Sequence, residues 1–542
     1  MRHRGSSGGS AGDERAAMDV LRMRGEFLPV HWRTDFPEAA AHGGFDVIIA
    51  NPPWDVILPY RAEFFRDYIP DYGRLDTREA MKAEKTLLAR DPAVRGIWQA
   101  YRKRVTTLNA YFLKTYASLQ PRRGDGTFLR GHNNIYKVFL EKIYLLLAKD
   151  GLCGIIVPDN LNIDSACTGL RRLLLQKTTI RELVTFVNRR KLFDIHGQYK
   201  FDVLTFMKRR PSPDAAFDAG FSWYDPVWLD GRPSAAHMAE HPLNAGRYHG
   251  RFRYPVAAIF RNDPDTFTIW EFGSAGGMNV LGKLKSFPGI GDPEEELHIL
   301  TSTEFNMTTD SDLFRKGGNG WPLFQGRTIH HYNASFGPVE RRVDPVEGEK
   351  RLARRRRSSP DELPDRNYRL AWRVIAQATD SRSLIGTVIP PKVFCGNALN
   401  AAEIIYKGKM VSDPELLSGL NVILSSLCAD FYVRLRSAKN VSAFIVRSVP
   451  VPRDIPAIRK LGRLALPLYL GAAFAAFRGS VPEMPDPEER IRRIALLDAM
   501  TARLYGLGSE EYGLVLDSFP LLGEVVKRLY REAFGREEEN GF

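Results

Sequence analysis

Asn51-Pro52-Pro53-Trp54 places an amide oxygen, a main-chain carbonyl and a flat aromatic face within one short turn. Asn51 supplies the amide oxygen, and Pro52 a carbonyl that no neighbouring amide is forced to claim. Trp54 supplies a stacking surface. Two acceptors beside a platform suit the exocyclic amino group of a planar base. The plainer alternative is a proline-stiffened loop after a core strand.

The turn needs a rigid support, and the residues before it provide one. Phe45-Asp46-Val47-Ile48-Ile49-Ala50 is rich in β-branched and aromatic side chains and is expected to form a buried strand. Proline lacks a donor and fixes φ, so the strand is expected to stop at Asn51. The carboxyl end of such a strand is where open α/β sheets hold ligands. Further strands are expected at 154–157, 180–186 and 201–207, with helices between them. Asn133-Asn134 should cap an amphipathic helix carrying Ile135, Val138, Phe139, Ile143, Leu146 and Leu147, with Gly151 stopping it. A second helix is expected over 168–177. This alternation predicts a partial doubly wound, Rossmann-like α/β sheet.

The remaining chain divides by composition. Residues 1–24 are expected to be a disordered N-terminal segment, because their opening is Gly/Ser-rich and basic without an apolar centre. Residues 25–210 form the expected α/β domain, with a helical insertion at 55–130. In that insertion Arg102, Lys103, Arg104 and Lys114 interleave with Trp98, Tyr101, Leu108, Tyr111 and Phe112. Such a pattern fits either a grip on a nucleic-acid backbone or a solvated face over a packed stripe. Residues 211–255, rich in proline, glycine and aspartate, are expected to be a connector. A mixed α/β region at 256–454 and a helical region at 455–542 complete the chain.

At 542 residues the chain exceeds one ordinary core. A 44% hydrophobic and 26% charged composition is that of a globular protein. No run approaches the roughly 18 apolar residues of a membrane helix, so no membrane partner is expected. The net charge of +13 points towards a polyanion. Arg354, Arg355, Arg356 and Arg357 form a dense basic run in a polar stretch, suited to phosphate contact from a flexible loop or to plain solvation. Cys153, Cys167, Cys395 and Cys428 have no paired spacing, so no disulfide framework or zinc site is indicated and reduced thiols in a cytoplasm are expected. His330-His331 would need parallel-turned rings and a third ligand to hold a metal. Glu347-Gly348-Glu349-Lys350 lacks the spacing of a nuclease site and is expected in a charged loop.

The Asn-Pro-Pro-Trp turn and its hydrophobic strand resemble the catalytic motif of amino-group DNA methyltransferases. Further phrases carry the resemblance to the methyltransferase and target-recognition part of type IIG restriction-modification enzymes: His31-Trp32-Arg33-Thr34-Asp35-Phe36-Pro37-Glu38, Trp321-Pro322-Leu323-Phe324-Gln325-Gly326-Arg327, Tyr368-Arg369-Leu370-Ala371-Trp372-Arg373 and Ser448-Val449-Pro450-Val451-Pro452. The resemblance implies adenine N6 methylation of double-stranded DNA in a restriction-modification or related defence system, with S-adenosylmethionine as methyl donor. It assigns Asn51, Pro52, Pro53 and Trp54 to catalysis, Trp54 and Phe193 to stacking on the target base, and residues 256–454 to target recognition. In the family a glycine-rich, cofactor-holding loop comes before this turn. The 50 residues ahead of Asn51 contain no strand with a Gly-x-Gly unit. The chain is therefore expected to begin part-way through a larger architecture. The alternative to a methyltransferase is an incomplete DNA-recognition subunit or remnant, needing a second polypeptide for the cofactor and nuclease parts.

Overall fold

Alternating and continuous apolar runs in the first half of the chain assemble one mixed sheet. In the computed structural model, which describes residues 30–120, 122, 126, 128–129, 131, 133–226, 250–356, 363–375, 381–436 and 440–539, two compact units meet in sequence between Trp270 and Glu271. The segment 1–24 and Arg357 lie outside the described residues.

The first unit contains strands β1 (Phe45–Ala50), β2 (Leu147–Pro158), β3 (Thr179–Val187), β4 (Lys200–Met207), β5 (Ala216–Trp223) and β6 (Phe252–Pro255) in the order β1-β2-β4-β3-β5-β6. The pairs β1·β2 and β3·β5 are parallel; β2·β4, β3·β4 and β5·β6 are antiparallel. Ile155, Val157, Leu183, Val184, Leu204 and Phe206 bury the centre of the sheet. Its longer helices are α1 (Thr77–Arg90), α2 (Pro92–Thr115), α3 (Ile135–Leu146) and α4 (Thr168–Lys177).

The helical insertion is locally well specified. Asp76 and Glu79 form a capping box on α1, while Asp91 caps α2 with Pro92 in its first turn. Helix α4 has the expected bounds. Helix α3 ends at Leu146, before Gly151, which instead lies inside β2. A Cβ at Gly151 would approach the Phe45 carbonyl oxygen to 2.8 Å, so this glycine serves the close pairing of β1 with β2 rather than a helix stop.

Two expectations need correction. Among the described residues strand β1 pairs only with β2, and it leaves Val47 57% and Ile49 86% exposed. Its apolar composition matched a buried strand, but composition does not reveal whether a second neighbour exists. The expected connector at 211–255 also contributes β5 and β6. Phe217, Ala219, Phe221 and Trp223 alternate into the core, and Tyr254 joins them, inside flanks whose turn residues obscured the period. The first unit then extends to Trp270. The buried Arg171 guanidinium donates to the carbonyls of Leu161 (2.8 Å), Asp164 (2.8 Å) and Thr266 (2.9 Å), fastening the segment after β6 to α4.

In the second unit, one sheet orders β12 (Gly386–Ile389), β11 (Arg369–Arg373), β14 (Leu399–Tyr406) and β15 (Lys409–Val411), with β7 (Leu297–Ser302) also pairing β14. A smaller one orders β13 (Phe394–Cys395), β9 (Trp321–Phe324), β10 (Arg342–Val343) and β8 (Phe314–Arg315). Helix α5 (Pro345–Arg356) lies in this region, followed by α6 (Pro414–Ser425), α7 (Ile455–Ala465) and α8 (Pro487–Leu504). Helices α6 and α7 meet at reciprocal glycines. A Cβ on Gly419 would collide with the Ile458 carbonyl oxygen, and one on Gly462 with that of Glu415. The fold is thus mixed α/β with C-terminal helices. Among the described residues no single helix is long and apolar enough to cross a membrane.

Candidate active site

Strand β1 ends where Pro52 and Pro53 remove donors from its ladder. Asn51 is exposed and Pro52 buried, and neither the Asn51 amide nor the Pro52 carbonyl makes a hydrogen bond among the described residues. The turn's downstream arm is held firmly. The Asn134 Nδ2 group donates to the Trp54 carbonyl (3.1 Å), Ile135 N–H to that of Asp55 (2.9 Å) and Ile57 N–H to that of Asn133 (2.7 Å). Asn134 occupies the N-cap position of α3, but its side chain does not cap the helix; it ties the helix start to the turn. Upstream, the parallel ladder from Val47↔Leu152 to Ala50↔Ile155 fixes the approach.

Trp54 is one wall of an aromatic cluster. Its ring lies 5.9 Å from Tyr199 at 12°, 6.2 Å from Phe201 at 30° and 5.4 Å from Phe193 at 66°. Phe193 therefore meets Trp54 edge-on and packs, with Trp54, against the core of Val184, Phe186, Phe201 and Trp223. The ring parallel to Trp54 is Tyr199, which is 42% exposed and which sequence reasoning missed. The signal was present: an aromatic residue just ahead of β4, in Gly197-Gln198-Tyr199-Lys200. Burial, with the Asp159 charge second, raises the Tyr199 phenol above its usual range. Buried Asn188 shapes this loop: its Nδ2 donates to the carbonyls of Phe193 (2.9 Å) and Ile195 (3.1 Å), and Phe193 N–H donates to its Oδ1 (3.1 Å). The structure brings Asn51–Trp54 and Phe193 together through one ring contact, and adds Tyr199. Such a site can hold a flat base by its faces and an amino group by two acceptors.

The basic run of the second unit lies on helix α5 up to Arg356, not on a flexible loop. Arg351 and Arg355 both pair with buried Asp310 (2.7 and 2.6 Å), and Arg356 pairs with Glu403 (2.6 Å). Burial opposes ionisation of Asp310, but the Asn306 N–H and the two guanidinium groups outweigh it and hold its pKa below the ordinary value. These arginines knit the unit together, and Arg354 is the exposed member without an ion pair among the described residues. Glu347 and Glu349, expected in a loop, also lie on α5, with Glu349 bound to Arg366 (3.0 Å). The rings of His330 and His331 are edge-on, 5.3 Å apart at 82°. Cys153, Cys167, Cys395 and Cys428 are all free and buried.

Residues 105–193 match the family described as Eco57I restriction-modification methylase. That span runs from α2 through α3, β2, α4 and β3 to Phe193; it does not include the turn at Asn51. No curated protein matches the chain. Among solved structures, the type IIL restriction-modification enzyme MmeI in complex with DNA is similar at 11% identity and a TM-score of 0.42, covering 94% of this chain and 59% of that one. The type IIG restriction endonuclease BpuSI is similar at 12% identity and 0.29, over 75% and 50% of the two chains. The ATP-dependent type ISP enzyme LlaBIII bound to DNA is similar at 9% and 0.37, over 85% and 31%. The chain thus spans about three fifths of the length of MmeI and less of the other two. The likeness to restriction-modification methylases, legible first in the turn at Asn51 and the segments around it, is shown by the family match at residues 105–193.

Proposed function

We propose that this chain forms the base-binding part of a DNA methyltransferase acting on the N6 amino group of adenine, within a restriction-modification or related defence system. The observation that carries the reading is the unclaimed acceptor pair of Asn51 and Pro52 beside the Trp54 ring. A target adenine would leave the duplex at a cost of about a few kcal/mol and stack on Trp54. The Asn51 Oδ1 and Pro52 carbonyl would accept its two amino protons. Those bonds hold the nitrogen in place and strengthen as positive charge develops on it. The second unit, residues 271–542, is assigned to recognition of double-stranded DNA, which sets the protein in a cytoplasm.

S-adenosylmethionine is the donor that this reading implies. The described residues at the turn do not fit it. No strand precedes β1 among them, and the open flank of β1 presents the side chains of Val47 and Ile49 instead of acceptors and a glycine turn. The reading therefore assigns the described residues at the turn to the base alone.

The same exposed edge favours a second reading, in which a second polypeptide supplies the donor-binding half. Covering Val47 and Ile49 would contribute roughly 1.5–3 kcal/mol each. Titration of the purified chain with S-adenosylmethionine separates the readings: saturable binding supports a self-sufficient enzyme, while no binding with salt-sensitive DNA binding retained supports the recognition subunit. Adenine methylation that survives Asn51→Ala unchanged would refute the assigned turn.

A further inference from the structure

Helix α2 carries Arg95, Arg102, Lys103, Arg104 and Lys114 and not one aspartate or glutamate. None of these five cations has an ion pair among the described residues, in contrast to Arg351, Arg355 and Arg356 of the second unit. The inner face of α2 is committed to packing: Val105, Phe112 and Leu113 lie against Ile57, Tyr116, Leu119 and Val138, and buried Trp98 lies against Phe65. Its outer face is open. Ile97, Arg104, Leu108 and Tyr111 follow helical spacing along one stripe, with Leu108 44% and Tyr111 59% exposed.

The packed side of α2 is hydrogen-bonded to the segment next to the candidate active site. Asn133 Nδ2 donates to the Asn109 side chain on α2 (2.9 Å), and the Asn133 carbonyl accepts from Ile57 N–H (2.7 Å), just beyond Trp54. A cleft of about 670 Å³ opens between α1 and α2 and includes Arg61, Lys85 and Arg102. The single carboxylate lining it, Glu84, is already taken by Arg61 and the Tyr72 hydroxyl. Five cations without ion pairs among the described residues, spread around the exposed sides of α2 with exposed apolar and aromatic residues among them, suit a phosphodiester backbone that lies along the helix.

We infer that the outer face of α2 is a nucleic-acid clamp that grips the phosphates of duplex DNA next to the flipped base. The inference rests on the proposed base site only for where along the duplex the grip falls. It also places non-specific affinity in the first unit.

The test compares the full chain with a variant carrying Arg102→Ala, Lys103→Ala and Arg104→Ala, all exposed positions, in binding to a fluorescent duplex over a range of salt. Circular dichroism checks that the variant keeps its helix content, and a triple exchange of Arg102 and Arg104 to Lys with Lys103 to Arg keeps the charge. Each lost phosphate contact should reduce the salt slope by about 0.9, so the alanine variant should lose about 2 to 3 from the slope. Its affinity at low salt should fall tenfold or more, and the charge-keeping variant should retain most of the slope. Slope and affinity within twofold of the parent would overturn the clamp, as would stronger competition by RNA than by duplex DNA, or a parent chain that binds no duplex. Asn51→Ala should leave the slope unchanged. A clamp that behaves as stated beside an Asn51→Ala variant with full methylation would refute the base site alone.

Discussion

Asn51→Ala is the sharpest probe of the site because the structure gives it no other work. The side chain is exposed and makes no hydrogen bond among the described residues, so its removal should change folding stability by less than about 0.5 kcal/mol. On the proposed function, what it removes is one acceptor for an amino group that becomes positive as the reaction proceeds. A hydrogen bond to a charged partner is worth about 1.5–3 kcal/mol. That corresponds to a loss of roughly tenfold to 150-fold in methylation rate. Trp54→Ala is a blunter tool: Trp54 touches Tyr199, Phe193 and Phe201, so its loss disturbs the loop as well as the platform. The assay is N6-methyladenine formed on duplex DNA with S-adenosylmethionine, read by mass spectrometry, alongside thermal melting and duplex affinity for each variant. The reasoning predicts that Asn51→Ala loses rate while its melting temperature and duplex affinity stay put. A variant that keeps its rate, or one that loses rate and stability together, refutes it.

Tyr199→Phe should retain methylation within about twofold, because the phenol has no hydrogen-bond partner among the described residues, whereas Tyr199→Ala should lose about 1–3 kcal/mol of base stacking, read as fluorescence of an adenine analogue at the target position. Gly419→Ala and Gly462→Ala should each lower stability by about 1–3 kcal/mol, since either Cβ strikes a carbonyl of the facing helix. One helix displacement relieves both collisions, so the double variant should cost less than the sum, and strict additivity in chemical denaturation would contradict that. Burial pushes the Asp498 carboxyl up to about 6, although Arg382, the Leu427 N–H and the Tyr512 hydroxyl oppose the shift. A raised folded-state pKa favours the protonated form, so this stabilisation is complete below about pH 4 and is lost as pH rises through about 6, an effect of order 3 kcal/mol. Melting of the parent should therefore fall relative to Asp498→Asn between those pH values, and a constant difference from pH 4 to 7 would show that Asp498 does not titrate there.

The parts legible in the sequence were those set by local pattern. Helix α4 kept its expected bounds because Thr168 to Lys177 carries its own apolar stripe, with Leu170, Leu174 and Leu175 buried. The turn at Asn51 was legible because two prolines leave a strand no choice. What was hidden depended on partners distant in sequence. Nothing in Val47-Ile48-Ile49 tells whether one or two strands flank it, and β5 was masked by proline and aspartate at its ends. The ion pairs of Arg355 and Arg356 were hidden because their partners, Asp310 and Glu403, are far away along the chain. Tyr199 was passed over because a lone aromatic before a strand acquires meaning only once Trp54 is seen parallel to it.

The flank of β1 that exposes Val47 and Ile49 does not loosen the turn at Asn51, and this separates the two halves of the proposed chemistry. Among the described residues the hydrogen bonds around Asn51–Asp55 come from the opposite side: the β2 ladder up to Ala50↔Ile155 before the turn, and Asn134 and Ile135 of the α3 start after it. The rings behind Trp54 belong to the β3–β4 connection and to β4 itself, which Asn188 and the antiparallel β2·β4 pairing hold in turn. None of these supports requires a neighbour on the flank where Val47 and Ile49 are exposed. The acceptor pair and its platform are therefore preorganised whether or not that flank is covered. On the proposed function, covering the flank that exposes Val47 and Ile49 should change donor binding and turnover far more than affinity for an extrahelical adenine. Equal dependence of both on the covering partner would mean that the turn is completed from the outer side, against the geometry of its hydrogen bonds.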